Sequence, residues 1–142
     1  MRKARIAIIG TGWWATTAHL PALRARPDAE IVAICDQRND VLDKAASKYG
    51  IAKTYSDYRQ LLENETLDGA IVSVWNAAHY EVTRACLQRK LHVLVEKPMC
   101  LTLSDADSMI RERDAAGVQL MVGYMRRYAP AFLQAEIGRA HV

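Results

Sequence analysis

The sequence predicts an α/β protein built on a doubly wound parallel sheet. Three observations carry that expectation. Short β-branched runs alternate with longer amphipathic stretches along the chain. The run Ile31–Cys35 is continuously apolar, as a strand covered on both faces is. A Gly-x-Gly turn sits directly after the first run and opens the first helical stretch. Because crossovers between parallel strands are right-handed, such a chain leaves a ligand crevice at the carboxyl ends of its strands.

Ala4–Ile9 is the first strand, ended by Gly10. A helix is expected from about Trp13 to Arg26, its small residues Ala15, Ala18, Ala22 and Ala25 near three-to-four spacing; Pro21 inside it predicts a kink or an early break. Ile31–Cys35 is the second strand. Asn39 or Asp40 is expected to cap the next helix, whose Val41, Leu42, Ala45, Ala46 and Tyr49 share a face and which Gly50 stops. Thr54 and Tyr55 make a short third strand, and Ser56 with Asp57 begins a helix through Leu61 and Leu62. Ala70–Val74 is the fourth strand, followed by a helix from about Ala78 to Arg89 with Val82, Ala85 and Cys86 turned inward. Leu91–Val95 is the fifth. Ser104-Asp105-Ala106-Asp107 reads as a capping box for a helix ending at Gly117, and Leu120–Val122 supplies the sixth strand.

At 142 residues, 51% hydrophobic and 25% charged, the chain suits one ordinary globular unit, with no low-complexity tract or repeat. A net charge of +3, evenly spread, gives no footprint for nucleic acid. No apolar run approaches a membrane span, and the apolar stretch Ile6–Ile9 after basic Met1–Arg5 is too short for a signal peptide. Cys35, Cys86 and Cys100 are odd in number and widely spaced, so they read as reduced packing thiols in a cytoplasmic protein, and no metal site is expected.

Gly10-Thr11-Gly12-Trp13-Trp14-Ala15 fits the phosphate-binding fingerprint G-x-G-x-x-[G/A]. Gly10 permits the tight turn, Gly12 lets the backbone approach a pyrophosphate, and Ala15 keeps the helix close to the sheet. Asp36 ends the second strand, near the spacing of about 20 residues at which an acid receives the adenosine ribose and disfavours a 2′-phosphate. NAD is therefore expected. Arg38, two residues on, could attract that phosphate, so NADP stays open. Glu96-Lys97-Pro98 follows the fifth strand, where the crevice should be; burial there would lower the pKa of the Lys97 ammonium and let it help move a substrate proton, and Pro98 is a candidate for a cis bond.

With these residues on the page, the chain resembles the glucose–fructose oxidoreductase / inositol dehydrogenase (Gfo/Idh/MocA) family. The glycine turn, Asp36, Asn76-Ala77-Ala78-His79 and Lys90–Pro98 with its closing Glu-Lys-Pro, followed by VGYMRRYAP, carry the likeness from Arg5 to about Phe132. The resemblance implies a Rossmann domain from an NAD(P)-dependent oxidoreductase acting on sugars, cyclitols or polyols, with a second α/β domain missing by truncation. It implies Gly10, Gly12 and Trp13 at the pyrophosphate and Asp36 at the ribose, with Thr11, Trp14, Arg38 and Trp75 as further cofactor-binding candidates. Asn76 and His79 would lie on the nicotinamide side, Glu96 and Lys97 at its border with Lys97 moving the proton, and Arg127 close to the cofactor. Where the family commonly has Thr-Pro before the Asn, this chain has Val74-Trp75, so Trp75 should reshape the pocket.

One of Trp13 and Trp14 is expected beside the cofactor and the other as packing. His19 is expected mainly to cover the first helix, and His92 to be a satisfied core or edge histidine. Arg111-Glu112-Arg113-Asp114 reads as a solvated helix face. The dinucleotide-binding unit is expected over 1–125 and the start of the substrate domain over 126–136. Residues 137–142, IGRAHV, match a translated sequencing adapter and are expected to be non-native. The whole protein is expected to form a homo-oligomer. The chain itself is expected to bind dinucleotide but to turn over substrate poorly or not at all. A non-catalytic, redox-sensing dinucleotide module is the alternative, although it gives no reason for Glu-Lys-Pro.

Overall fold

The computed structural model describes residues 2–139, with side chains described to residue 135. It contains six strands, β1 (Ala4–Ile9), β2 (Ala29–Cys35), β3 (Thr54–Tyr55), β4 (Gly69–Val72), β5 (His92–Val95) and β6 (Leu120–Val122). All pair in parallel, in the order β3-β2-β1-β4-β5-β6. The order reverses between β1 and β4, and that is where an open α/β sheet holds its ligand. The helices are α1 (Leu20–Arg24), α2 (Asn39–Tyr49), α3 (Tyr58–Asn64), α4 (His79–Gln88), α5 (Leu103–Ala116) and α6 (Pro130–Arg139).

The sheet has a core on each face, which is why its strands read as unbroken apolar runs. On one face Ile8, Ile34 and Ile71 pack with Leu20, Leu42 and Ala45, beneath α1 and α2. On the other, Ile9, Val72 and Val95 pack with Leu61, Val82, Cys86 and Met109, beneath α3, α4 and α5. Gly50 and Gly117 close α2 and α5 in the left-handed region, at φ +64° and +68°, as read from the sequence.

Several boundaries differ, each for a local reason. The fourth strand ends at Val72 rather than Val74, because the chain turns off the sheet once the Ser73 amide has donated to Ile9 O (2.8 Å). The residue capping α2 is Arg38, not Asn39 or Asp40, and its amide donates to Asp36 Oδ1 (3.0 Å). The cap of α5 is Thr102 rather than Ser104; its hydroxyl accepts from the Asp105 amide at 3.1 Å. His92 is exposed and lies in an interior strand, its Nδ1 accepting from the Gln119 amide (3.1 Å).

Pro21 does not break the first helix, which runs past it to Arg24. A π-turn, Ala15–His19, precedes it, with the Leu20 amide donating to Ala15 O five residues back. Pro21 has no N–H for the Thr16 carbonyl. That carbonyl accepts instead from the Tyr49 hydroxyl at 2.5 Å.

After β6 comes a short 3₁₀ turn (Met125–Tyr128), against which α6 folds. Of the expected adapter-like tail, residues 140–142 lie outside the described residues.

Candidate functional site

At the carboxyl ends of the strands lies a crevice of about 1410 Å³, running from Tyr58 past Asp36 and Gly12 to Lys97 and Arg126. Ligand pockets span roughly 300–1,000 Å³, so this one suits a long ligand. It opens on the switch point between β1 and β4.

The glycine turn divides its work between two residues. Gly10 has φ +96°, and a Cβ there would meet Ser73 O at 2.3 Å. Gly12 has no such neighbour: a Cβ on it would meet nothing within 4 Å. A side chain at Gly12 would project into open space, so packing does not require glycine there. The first helical bond runs from the Thr16 amide to Gly12 O (3.1 Å). The N–H groups of residues 12–15 therefore precede the helical ladder and have no carbonyl upstream to bond. Ala15 is fully buried, as its place against the sheet requires.

Asp36 ends β2 as expected, with its carboxylate largely buried. Its Oδ2 accepts from the Thr11 amide (2.8 Å) and hydroxyl (3.2 Å), while Oδ1 accepts from the Arg38 amide. Thr11 is buried and turned toward Asp36, so it anchors the turn rather than lining the crevice. The Arg38 side chain lines the crevice, exposed, with Nε 3.9 Å from Asp36 Oδ1. Beyond them stands Tyr58, whose hydroxyl donates to Glu81 Oε1 (2.9 Å) and whose ring Arg59 covers at 4.6 Å. Burial, followed by that bond to Glu81, pushes the Tyr58 hydroxyl up to about 12. Burial does the same to the Cys35 thiol, beside Asp36.

At the other end, Trp13 (73% exposed) and Trp75 (80% exposed) present wide apolar surfaces beside Asn76. His79 is buried and braces two turns: its Nδ1 lies 2.6 Å from Pro98 O and its Nε2 3.1 Å from Val74 O. The Lys97–Pro98 bond is cis. Lys97 lines the crevice but is exposed, so the burial expected of it is not found.

Glu96 is buried, its Oε1 accepting from Trp14 Nε1 (2.7 Å) and His19 Nε2 (2.8 Å), and its Oε2 from the Lys97 amide (3.2 Å). His19 therefore belongs to the site, not merely to the helix surface. Both Trp13 and Trp14 line the crevice. Arg126 lines it as well, whereas Arg127 stands outside the lining, because the 3₁₀ turn points successive side chains in different directions. Tyr58, Glu81 and Gly123 also border the crevice. Sequence reading had no signal for these three, since each reaches the site from a turn or helix distant in sequence.

Among the described residues no group of three His, Cys, Asp or Glu could hold a metal ion, and no helix is long and apolar enough to cross a membrane.

Comparison with known proteins adds an independent line. A family model described as an oxidoreductase family with an NAD-binding Rossmann fold matches residues 4–124. The chain belongs to the Gfo/Idh/MocA oxidoreductase family. Within it, a myo-inositol 2-dehydrogenase from Thermotoga maritima is 37% identical, over 97% of this chain and 43% of its own length. A dehydrogenase from Bordetella pertussis, WlbA, solved in complex with NADH and UDP-GlcNAcA, superposes with a TM-score of 0.91 at 26% identity, covering 99% of this chain and 42% of that one. A 3-ketoreductase from Actinomadura kijaniata, solved with TDP-benzene and NADP, gives 0.88 at 27%, over 99% and 44%. The chain thus spans about two fifths of the length of these family members.

Proposed function

We propose that this chain is the cofactor-binding portion of an NAD(P)-dependent dehydrogenase that exchanges a hydride with the carbinol carbon of a sugar, cyclitol or polyol. One observation carries the reading: the open cradle at Gly12, the acid at Asp36 and the ammonium at Lys97 border a single crevice at the switch point of the sheet. The names of its relatives, a myo-inositol 2-dehydrogenase, a dehydrogenase solved with NADH and UDP-GlcNAcA and a 3-ketoreductase solved with NADP, support the substrate class and the cofactor.

The residues present fit a dinucleotide. Amides of residues 12–15 receive the pyrophosphate, whose approach the missing Cβ of Gly12 permits. The lone pair left on Asp36 Oδ1 receives the adenosine ribose, and the carboxylate's charge favours NAD over NADP, with Arg38 softening that preference. A bound nicotinamide supplies the hydride chemistry. Lys97, at the crevice end of β5, hydrogen-bonds the substrate oxygen; having first given a proton to solvent, its neutral amine takes the hydroxyl proton when the alcohol is oxidised. The remaining half of the whole protein closes the site over Trp13, Trp75 and Met125, whose apolar surfaces stand exposed here. Hydride transfer needs reacting atoms held within about 3–3.5 Å, so the 142-residue chain binds cofactor with little turnover.

Titration with NADH and with NADPH, followed by tryptophan fluorescence, tests the reading directly, because all three indoles line the crevice. Saturable quenching is expected, stronger for NADH. No response to either at about 1 mM, the weak end of specific binding, would remove the dinucleotide from the proposal. In the whole enzyme, Lys97→Ala should abolish turnover and spare NADH binding; a variant that keeps its turnover leaves Lys97 without the assigned role.

A further inference from the structure

Glu96 has every feature of a spare carboxylate in an active site, yet its bonds leave it little to offer a substrate. A carboxylate presents about four lone-pair directions. Both on Oε1 are taken, by the Trp14 indole and by His19, and one on Oε2 is taken by the Lys97 amide. The rest of that oxygen faces Gly123, where a Cβ would come within 3.1 Å of Oε2 and 2.9 Å of Oε1. Glu96 is therefore held on all sides, and what it joins is informative. Trp14 and His19 belong to the glycine turn and its helix; Lys97 belongs to the turn after β5. The contacts cross 77 to 82 residues of sequence.

The helix is shaped for this contact. Trp14 and His19 are five residues apart, and in an α-helix they would diverge by about 140°. A π-turn has its bonds at i→i+5 and brings residues five apart toward the same face of the helix. The π-turn Ala15–His19 thus brings both side chains to the same oxygen, their rings 6.5 Å apart and edge-on. It is stabilised from elsewhere: Pro21 withholds the N–H that would continue an ordinary helix, and Tyr49 satisfies the Thr16 carbonyl.

Resting on the dinucleotide reading above, we propose that Glu96 is a positioning residue: with Trp14 and His19 it latches the pyrophosphate cradle to the Lys97 turn, so that cofactor and lysine are held in one register. It meets Lys97 at the backbone amide and moves no proton. His19 is the second half of the device, its Nε2–H fixed by an acceptor-only carboxylate.

The experiment uses the 142-residue chain, with two readouts. The first is the indole N–H resonance of Trp14 in proton–nitrogen NMR spectra without ligand, assigned by its disappearance in Trp14→Phe. The second is NADH affinity. Glu96→Gln and Gly123→Ala should each shift the Trp14 resonance and weaken NADH binding roughly tenfold, and Glu96→Gln combined with Trp14→Phe should be no worse than the poorer single variant, as residues acting as one unit behave. Gly123→Ala keeps every donor and acceptor and only displaces Glu96, so it serves if Glu96→Gln folds poorly. A Trp14 resonance unmoved in both variants overturns the latch, whatever NADH does. A shifted resonance with unchanged NADH affinity overturns the positioning role alone. Failure of the wild-type chain to bind NADH while the resonance still shifts overturns the dinucleotide reading, and the positioning role with it.

Discussion

Replacing Gly10 by Ala should damage the fold, while replacing Gly12 by Ala should damage only the ligand site. At Gly10 a Cβ would stand 2.3 Å from Ser73 O, 2.5 Å from Ser73 C and 2.8 Å from Val74 N. These are backbone atoms, so no rotamer change relieves the overlap; β1 and the exit of β4 must part. The φ of +96° adds strain of about 1–3 kcal/mol for a residue with a side chain. Parting the strands weakens the Ser73 N–H···O bond to Ile9, worth a further ~1 kcal/mol. A total of about 3 kcal/mol, at roughly 3–4 °C per kcal/mol for a chain of this size, predicts a midpoint about 10 °C lower in a thermal melt followed by circular dichroism. Gly12→Ala meets nothing within 4 Å and should melt within ~2 °C of the wild type. Its methyl group intrudes on the pyrophosphate, and NADH affinity should fall at least ~10-fold, about 1.4 kcal/mol. A Gly10→Ala chain that melts like the wild type, or a Gly12→Ala chain that binds NADH as well, would refute this division of labour.

Three further outcomes are expected. Asp36→Ala removes the acceptor of the Thr11 and Arg38 amides as well as the ribose acid, so NADH binding should weaken without a compensating gain for NADPH; a large NADPH gain in parallel titrations would show that the anchoring is dispensable. The Arg5 amide, assisted by the charges of Arg2 and Arg5, holds the Asp68 carboxyl below its ordinary 3.8. A carboxyl depressed in the folded state stabilises above the unfolded value and loses that contribution as pH falls through the folded one. The stability difference between wild type and Asp68→Asn in urea should therefore be widest near neutrality and close below 3.8; a difference that grows on acidification contradicts the assignment. Thr102→Ala and Gly117→Ala, which strip the two caps of α5, should each cost about 1 kcal/mol in the same denaturation, and Ser104→Ala should cost much less.

What could be read from the sequence was what neighbours in sequence decide. The strands Ala4–Ile9 and Leu120–Val122, and the stops at Gly50 and Gly117, follow from local pattern and φ preference. The cap of α2 did not, because Asp36, committed to the β1–α1 turn, was also in reach of the Arg38 amide and left Asn39 and Asp40 without that task. His19 was hidden for a stronger reason. Its position depends on a π-turn, and that turn depends on a hydroxyl 33 residues away at Tyr49. Helical periodicity with 3.6 residues per turn points His19 away from Trp14. Only the irregular turn points it back.

The polar groups at the mouth of the sheet are paired with one another before any ligand arrives. Asp36 ties the end of β2 to the glycine turn, Glu96 ties that turn to the end of β5, and His79 spans the turns after β4 and β5. Each of these side chains is largely buried, and a buried polar group left without a partner costs about 1–3 kcal/mol. A sheet end built from three such groups would be unstable if they waited on a dinucleotide for satisfaction. Paired as they are, they fix four loops in one arrangement and still leave the amides beside Gly12, one lone pair of Asp36 and the ammonium of Lys97 open to a ligand. Ordering these loops in advance lowers what binding must spend on fixing them. The same pairing explains how the crevice keeps its form in this chain, where the apolar surfaces of Trp13, Trp75 and Met125 stand exposed beside it.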